Sequence, residues 1–540
     1  MIFGLRALAG KDPEALAEII LGTAAVLFIF AFIYAKSANM DYVQRYIAMG
    51  GGIQLAGSTA QEQLYALLRF GPVMTVVIAF YAWRRLASPR ENGAKPAGCR
   101  FLRSFARWAF PWTAVSAFLF ALSFPSFVSL DGFGILAWFA LVPLLVVLGT
   151  ARPGMAVFYG VFFGTLQALL INFWHGTYDY VTLHMITVVF AVEYLLFMLV
   201  LVPVRRTGGK WGFFFIAAAW TLFDYLRSVG FLGYPWGLIG TSQHKFLPFI
   251  QAASVTGVWG LGFAVVLCNA ALAQVLAGTG DGGERKSRRE FLFPVEFTAA
   301  ALAVWLMAGS FALRATREKL YGDPAVPSVS IVLIQPNFDA RKYVLEDNIR
   351  ELRALTDAAV ASLPEKPDMV VWPEGEFEVD MRWWTAAENA DSYWGRVAAD
   401  LFAYQRKLGS SILTGTLDHE MVAGKDGGEE RVNYNSAVLV GPDGRLSDFY
   451  HKMHLVPFSE YFPLDREKFS ALYKLFESYE ISHWGVGRNR LVFPHGKMRF
   501  AAPICFEDVF PDHVRRFVLR DADIIMNLGN DYWSLSPVEG

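Results

Sequence analysis

The stretch Ala502-Pro503-Ile504-Cys505-Phe506-Glu507-Asp508 lies in the C-terminal third of this 540-residue chain, between two segments of regular pattern. Before it, residues 498–501 alternate as in a β-strand, and after it residues 509–519 begin a helical pattern. A thiol at such a junction lies near free N–H groups and the positive end of a helix, which favour the thiolate and a developing oxyanion. Cys505 is therefore a candidate nucleophile. A lone cysteine is also commonly a small buried hydrophobe, so other residues must support this assignment.

Composition indicates a membrane protein with a polar part attached. Hydrophobic residues make up 54% of the chain and charged residues 18%, whereas an ordinary soluble domain has roughly 25% charged residues. The mean hydropathy is +0.34. A net charge of −1 gives no indication of nucleic-acid binding, and the sequence has no phosphate-binding glycine loop or paired Cys/His metal motif. We expect lipidic or membrane-bound partners and no nucleic acid.

Nine apolar runs approach the roughly 20 residues that cross a bilayer. They lie near 16–35, 64–83, 108–124, 133–149, 155–174, 182–204, 211–229, 251–276 and 294–313. Lys and Arg are concentrated after the second, sixth and eighth runs, whereas the loops near 125–132 and 175–181 contain neither. The positive-inside rule then makes the N-terminus and the basic loops cytoplasmic and places everything after Leu313 on the far side.

The three cysteines have different predicted surroundings. Cys99 lies in a cytoplasmic loop, Cys268 lies within a span, and Cys505 lies in the exported domain, so we expect no disulfide framework. An unpaired thiol in an oxidising compartment is usually kept for chemistry.

The pattern changes from about Pro327, where strands alternate with helices and predict a layered α/β domain. Glu374 ends an apolar strand directly after Trp372-Pro373, where a half-desolvated carboxylate can act as a general base. Lys452 lies in a mostly apolar segment, where its ammonium can stabilise an oxyanion. Either residue alone is more often solvated or ion-paired, so the combination with Cys505 carries the prediction.

Three motifs of the polar half resemble the nitrilase superfamily, whose Glu-Lys-Cys triad transfers acyl groups through a thioester on an α-β-β-α sandwich: Trp372-Pro373-Glu374, Tyr450-His451-Lys452 and Ile504-Cys505-Phe506-Glu507. Further segments in both halves resemble the bacterial apolipoprotein N-acyltransferase family within that superfamily. They are residues 455–463, Asn530-Asp531-Tyr532-Trp533, Trp220, Asp224, Arg227, Gly233-Tyr234-Pro235-Trp236, Gly257-Val258-Trp259-Gly260-Leu261 and Asn269.

The resemblance implies a ping-pong acyl transfer. The acyl chain of a membrane phospholipid forms a thioester and then passes to the α-amine of the diacylglyceryl-modified N-terminal cysteine of an apolipoprotein. No metal or soluble cofactor is implied. We expect a monomeric enzyme in the bacterial inner membrane, with its catalytic domain on the periplasmic face.

The same resemblance implies the site residues. Glu374 takes the thiol proton, Lys452 stabilises the oxyanion, and Cys505 is the nucleophile. Supporting or oxyanion roles fall to Glu460, which helps to hold the lysine, and to Phe506 and Glu507. Substrate binding is assigned to Tyr343, Tyr234 and Trp236, although Tyr234 and Trp236 fit an ordinary interfacial aromatic belt equally well.

The predicted organisation is a polytopic α-helical membrane domain followed by an exported nitrilase-like α-β-β-α sandwich. Residues 1–107 form an extension with two extra spans and a basic cytoplasmic loop, residues 108–313 form a seven-helix domain, and residues 327–540 form the catalytic domain. Because family members continue past the position of Gly540, we expect a sandwich that lacks its last elements and has little activity.

Two alternatives remain open. A membrane-anchored amidase would use the same triad but let water attack the thioester. A non-enzymatic scaffold or transporter is disfavoured because the predicted spans contain few charged residues, chiefly Glu18, Glu193 and Asp224.

Overall fold

The computed structural model describes residues 108–530 except for 127, 176–179, 231–232, 279–287, 322–327, 337–343, 376–379, 387–388, 424–426 and 478–480. The chain divides into two compact units. Of the described residues, one unit includes 108–227 and Pro235–Lys319, and the other includes Ser228–Tyr234 and 320–530. The predictions for residues 1–107, Tyr343 and residues 531–540 lie outside the described residues.

The first unit is built from helices. Its α-helices are α1 (Ala109–Leu122), α2 (Ala137–Ala140), α3 (Val142–Thr150), α4 (Pro153–Ile171), α5 (Tyr180–Thr207), α6 (Gly212–Leu226), α7 (Leu247–Ile250), α8 (Ala253–Gly278) and α9 (Arg288–Tyr321). Four helical stretches are long and apolar enough to cross a membrane: Pro153–Ile171, Thr182–Thr207, Ala253–Ala277 and Leu292–Tyr321. They coincide with four of the predicted spans and confirm a helical membrane domain.

The predicted spans near 108–124, 133–149 and 211–229 form shorter helices. The second of these is interrupted, since α2 ends at Ala140 and α3 begins with Pro143 in its first turn, where the missing proline N–H is tolerated. The buried side chain of Asn269 bridges the interruption: its Oδ1 accepts from Leu141 N at 2.9 Å, and its Nδ2 donates to Ala137 O at 2.8 Å. A side-chain amide thus satisfies backbone groups that the broken helix leaves unpaired.

The second unit is an α/β domain with two sheets. Its elements are β1 (Ile331–Leu333), α10 (Leu345–Ala361), β2 (Met369–Val371), α11 (Met381–Trp384), α12 (Tyr393–Leu408), β3 (Ser411–Ala423), β4 (Glu429–Val440), β5 (Leu446–His451), α13 (Ser470–Glu477), β6 (Phe493–His495), β7 (Met498–Ala501), α14 (Pro511–Val518) and β8 (Ile524–Ile525). The larger sheet has the order β1-β2-β3-β4-β5, and the smaller has the order β6-β7-β8. Pairing is parallel from β1 to β3 and from β7 to β8, and antiparallel elsewhere.

Successive side chains of a strand point to opposite faces of its sheet, so the larger sheet contributes alternate residues to two separate hydrophobic cores. Ile412 of β3 packs with residues of α10, α11 and α12 in one core. Leu413, the next residue, packs in the other core with residues of the smaller sheet such as Phe500, and Phe517 of α14 joins them. This arrangement confirms the predicted α-β-β-α sandwich.

Three elements differ from the boundaries that the sequence predicts. The sequence predicts strands over 411–416 and 436–440, whereas β3 and β4 extend well beyond these ranges, because their polar outer halves continue the ladder as a hairpin that ends at the pair Ala423 and Glu429. The helix predicted from Val509 begins only at Pro511. A 3₁₀ turn, Cys505–Val509, separates it from the strand, and the nucleophile candidate is the first residue of that turn.

Candidate active site

The three predicted triad residues each follow a strand of the sandwich. Glu374 comes three residues after β2, Lys452 directly follows β5, and Cys505 follows β7 by four residues. Gly415 of β3 leaves room for the first of these turns, since a Cβ at this position would lie 3.0 Å from the Cα of Glu374. A side chain at this position would press on the backbone of the turn that carries the base, so the close approach of the two strands favours glycine.

Lys452 is held between two carboxylates. Its side chain is 1% exposed, and Nζ donates to Glu460 Oε1 at 2.8 Å and to Glu374 Oε1 at 3.4 Å. Asn435 of β4 bridges the same two oxygens, since its Nδ2 donates to Glu374 Oε1 at 2.9 Å and to Glu460 Oε1 at 3.3 Å. The other Glu460 oxygen accepts from Val456 N at 2.7 Å. Two donors and two acceptors thus form a closed, buried arrangement around the ammonium.

The charges of this arrangement keep Lys452 protonated. Burial alone would lower the pKa of Lys452, but Glu374, Glu460 and Cys505 outweigh it and raise that pKa well above the ordinary value. The structure therefore brings the lysine into electrostatic contact with both predicted partners. A fixed ammonium in a water-poor site is suited to stabilising a developing negative charge.

Cys505 occupies a strained turn. Its φ is +50°, a left-handed value that costs a non-glycine residue roughly 1–3 kcal/mol. Its N–H donates to Leu528 O at 2.7 Å, and its carbonyl accepts from Asn527 Nδ2 at 3.2 Å. A nucleophile held on a tight strand-to-helix turn presents its reactive atom outward, and the Cys505 side chain is accordingly half-buried rather than enclosed.

Glu507 connects the lysine segment to the nucleophile turn. Its Oε1 accepts from the N–H groups of Met453 and His454 at 2.7 and 3.0 Å, just after the lysine. Its Oε2 accepts from Ile504 N, just before the cysteine, at 2.9 Å, and from Tyr450 Oη at 2.8 Å. Burial raises the pKa of Glu507, although all four hydrogen bonds favour its charged form. All four hydrogen bonds are accepted by Glu507, and they connect the segment after Lys452 to the turn that carries Cys505. We therefore assign Glu507 a structural role in holding these two segments together.

The remaining predicted residues have different surroundings. The ring of Phe506 packs edge-on against Phe510 with centroids 4.9 Å apart. Tyr234 is half-buried and belongs to the same unit as the triad. Trp236 belongs to the helical unit, where its ring centroid lies 6.1 Å from that of Trp174. Among the residues predicted to support the triad, Glu460 accepts a hydrogen bond directly from Lys452.

A buried ion pair holds the segment that carries Trp236. Arg227 Nε donates to Asp224 Oδ1 at 3.1 Å, and Arg227 Nη2 donates to the carbonyl oxygen of Trp236 at 2.9 Å. Both charged residues are 6% exposed. The guanidinium, with several donors in fixed directions, can serve both partners at once.

Two groups of side chains have the composition of a metal site. They are His454, Glu507 and His513, and Asp380, Asp418 and His419. In the first group both Glu507 oxygens already accept hydrogen bonds. In the second, Asp380 pairs with Arg431 and Asp418 pairs with Arg382. Among the described residues, neither group is therefore a set of ligands without protein partners.

Asn435, Tyr450 and His513 take part in the site, although no sequence pattern assigned them a role in it. Asn435 stands in Asn433-Tyr434-Asn435-Ser436, directly before the apolar run 437–440, and such buried amides require partners. That polar segment was the available signal. The contact between Tyr450 Oη and His513 Nε2, at 3.2 Å, joins residues 63 positions apart and has no local signature.

Comparison with known proteins covers both units. The family model for the apolipoprotein N-acyltransferase N-terminal domain matches residues 116–271, and the carbon-nitrogen hydrolase model matches residues 329–537. Apolipoprotein N-acyltransferase 1 of Treponema pallidum is 32% identical over 428 residues, which cover 77% of each chain. Apolipoprotein N-acyltransferase 1 of Treponema denticola is 29% identical over 440 residues, covering 78% of this chain and 79% of the relative.

A third relative, the apolipoprotein N-acyltransferase of Geobacter metallireducens, is 29% identical over 434 residues, covering 78% of this chain and 77% of its own. The agreement extends through the membrane helices and the sandwich, so it concerns the whole arrangement and not the hydrolase domain alone. This protein belongs to the apolipoprotein N-acyltransferase family.

Proposed function

We propose that this protein moves an acyl chain from a membrane phospholipid, through a thioester on Cys505, to the α-amine of the N-terminal diacylglyceryl-cysteine of apolipoproteins. The observation that carries the proposal is the buried arrangement of Glu374, Lys452, Glu460 and Asn435, in electrostatic contact with a cysteine on a strained turn. It occurs in a chain that also has membrane-length helices.

In the first half-reaction Glu374 removes the proton of the Cys505 thiol, and the sulfur attacks the ester carbonyl carbon of the phospholipid. The carbonyl oxygen becomes an oxyanion, which the Lys452 ammonium stabilises. Collapse of the tetrahedral intermediate breaks the ester C–O bond and leaves the thioester. The proton held by Glu374 passes to the departing lysophospholipid oxygen.

In the second half-reaction the α-amine of the acceptor attacks the thioester carbonyl. Glu374 takes the proton that the amine loses, the C–S bond breaks, and the thiolate leaves and regains its proton. The product is an amide. Glu460 keeps Lys452 oriented during both steps, because its carboxylate is the nearer of the two partners of the ammonium.

The membrane helices are appropriate for these substrates. Removing an acyl chain from the bilayer costs about 0.8 kcal/mol per CH₂, so neither substrate would reach a freely soluble enzyme. We further propose that the enzyme is a monomer of the bacterial inner membrane with its catalytic domain on the periplasmic face. The distribution of Lys and Arg between the loops supports this orientation.

Transfer of a fluorescent acyl chain from phospholipid to a diacylated lipopeptide tests the function. We expect triacylated lipopeptide with little free fatty acid, and no product from Cys505→Ala. Release of free fatty acid at the same rate with and without lipopeptide would instead identify a hydrolase.

A further inference from the structure

A cavity lies in the catalytic domain, and no triad residue lines it. It has a volume of about 620 Å³, within the range of ligand-binding clefts. Its lining consists of the tryptophans Trp383, Trp384, Trp394 and Trp484, the apolar side chains of Leu345 and Leu417, the polar side chains of Asn433 and Ser482, and the charged residues Asp380 and Arg431. We refer to it as the tryptophan cleft.

The tryptophan cleft begins beside the catalytic carboxylates. Asn433 and Asn435 are two residues apart on β4, so their side chains project from the same face of the sheet about 7 Å apart. Asn435 contacts Glu374 and Glu460, whereas Asn433 lines the cleft. Trp484 is held at the same place, because its backbone N–H donates to the backbone carbonyl of Glu460 at 2.9 Å.

The polar lining of the cleft consists mainly of hydrogen-bond donors. Within the described part of the chain, the Asn433 amide nitrogen, the Ser482 hydroxyl and the four indole N–H groups donate no hydrogen bond to protein. The charged lining residues neutralise each other, since Arg431 Nη2 donates to Asp380 Oδ2 at 2.8 Å. Arg431 Nε also donates to Asn433 Oδ1 at 2.9 Å. The cleft therefore presents aromatic surface and unused donors without net charge.

The lining of the tryptophan cleft discriminates between the three substrate groups that could occupy it, which are an acyl chain, a phosphate and a peptide backbone. An acyl chain would bury the unused donors without acceptors, which is costly. A phosphate would find Arg431 already paired with a carboxylate. A peptide backbone supplies carbonyl acceptors, and its side chains can pack on indole rings.

We propose that the tryptophan cleft binds the first residues of the acceptor polypeptide that follow its diacylglyceryl-cysteine. An extended chain advances about 3.3–3.6 Å per residue. The roughly 7 Å between Asn435, which contacts Glu374, and Asn433, which lines the cleft, thus corresponds to about two residues of an extended chain. The proposal rests on the proposed acyl transfer and adds to it a site that discriminates between acceptors.

The ping-pong scheme allows a test, because the acceptor takes part only in the second half-reaction. Trp383, whose side chain is 39% exposed, is replaced by alanine, and Phe469, 46% exposed in the same domain and outside the cleft lining, is replaced by alanine as the control. With Trp383→Ala we expect thioester formation on Cys505 from phospholipid to be unchanged. The KM for a diacylated pentapeptide should rise about tenfold, equivalent to about 1.4 kcal/mol. Ser482→Ala should raise that KM in the same direction.

A diacylglyceryl-cysteine amide without further residues provides the matched substrate. Wild type, Trp383→Ala and Phe469→Ala should all use it with one KM, higher than that of wild type for the pentapeptide. Slower thioester formation in Trp383→Ala would assign the cleft to the phospholipid and overturn the proposal. Equal KM values of wild type for the two acceptors would also overturn it. A wild type that forms no thioester would overturn the proposed function itself, and the acceptor site with it.

Discussion

Replacing Glu460 with glutamine tests how the protein holds its buried lysine. The Glu460 carboxylate lies 2.8 Å from Lys452 Nζ, whereas the second partner, Glu374, lies 3.4 Å away. Glu460→Gln keeps the shape of the side chain and an oxygen that can accept a hydrogen bond. It removes the negative charge nearest to an ammonium that is 1% exposed.

The size of the effect follows from the geometry. Two unit charges 2.8 Å apart attract by about 6 kcal/mol at an effective dielectric constant of 20. Breaking a buried pair by removing one partner typically costs about 3–5 kcal/mol. Because the amide oxygen still accepts and Glu374 remains, we expect the free energy of unfolding to fall by about 3 kcal/mol.

The rate of thioester formation should fall as well. Without the Glu460 charge, Lys452 pairs with Glu374 alone, and this ion pair opposes the transfer of the thiol proton to Glu374. We expect thioester formation to slow about 100-fold, the size seen when one oxyanion-stabilising group is lost. The decrease in the free energy of unfolding caused by Glu460→Gln should be equal at pH 6 and pH 9. The pKa of Lys452 in the folded state is raised, so its contribution is fully present below about pH 10.4 and is lost only as pH rises through the raised value.

The assay is intact-protein mass spectrometry of the acyl adduct after mixing with phospholipid, together with thermal unfolding in detergent. Glu467→Gln, at an exposed glutamate of the same domain, is the matched control and should behave like wild type. Thioester formation at the wild-type rate in Glu460→Gln would refute the role assigned to this carboxylate.

Three further substitutions probe other contacts of the two units. Asn435→Asp places a third carboxylate against two others, so thioester formation measured by mass spectrometry should fall at least tenfold; a wild-type rate would contradict the bridging role. Arg227→Lys keeps a charge beside Asp224 but loses the hydrogen bond to the Trp236 carbonyl, so the rate of acyl transfer to lipopeptide should fall about tenfold. Arg205→Lys, at a second arginine of the helical unit, is the control and should leave that rate unchanged. Burial lowers the pKa of His513 to about 3, so the unfolded state takes up its proton first as pH falls below about 6.5. His513→Gln removes this term, and on going from pH 8 to pH 5 its stability in thermal or urea unfolding should fall by about 2 kcal/mol less than that of wild type; equal losses would contradict the burial argument.

The triad was predictable from sequence because strand ends have local signatures. Glu374 and Cys505 each follow a short apolar run, which identifies a buried strand without knowledge of its neighbours, and Lys452 lies in the mostly apolar segment 449–458. The prediction that these residues act together nevertheless came from their resemblance to a family. The structure places Lys452 in hydrogen-bonding or electrostatic contact with both others.

The residues that contact the triad from neighbouring strands could not be predicted in the same way, since their positions depend on strand register. Asn435 reaches the glutamates because β4 pairs with β3 so that Asn435 lies opposite Leu417. A shift of one residue would turn its side chain to the other face of the sheet. The polar halves of β3 and β4 also lack the apolar pattern that identifies a strand, and for this reason both strands were predicted too short.

The 3₁₀ turn at Cys505 has a similar explanation. The pattern from Val509 onwards is helical, but Pro511 is favoured only in the first turn of a helix, and it sets the start of α14. The residues between β7 and that proline must therefore turn more tightly, and Cys505 takes the left-handed conformation there.

Isolation of the acyl-enzyme tests the central claim most directly. After wild-type protein is mixed with phospholipid in the absence of acceptor, mass spectrometry of proteolytic fragments should find one acyl chain on Cys505, removable by hydroxylamine and by a diacylated lipopeptide. Cys505→Ala should carry no adduct. An adduct on another residue, or triacylated product formed by Cys505→Ala at the wild-type rate, would contradict the account.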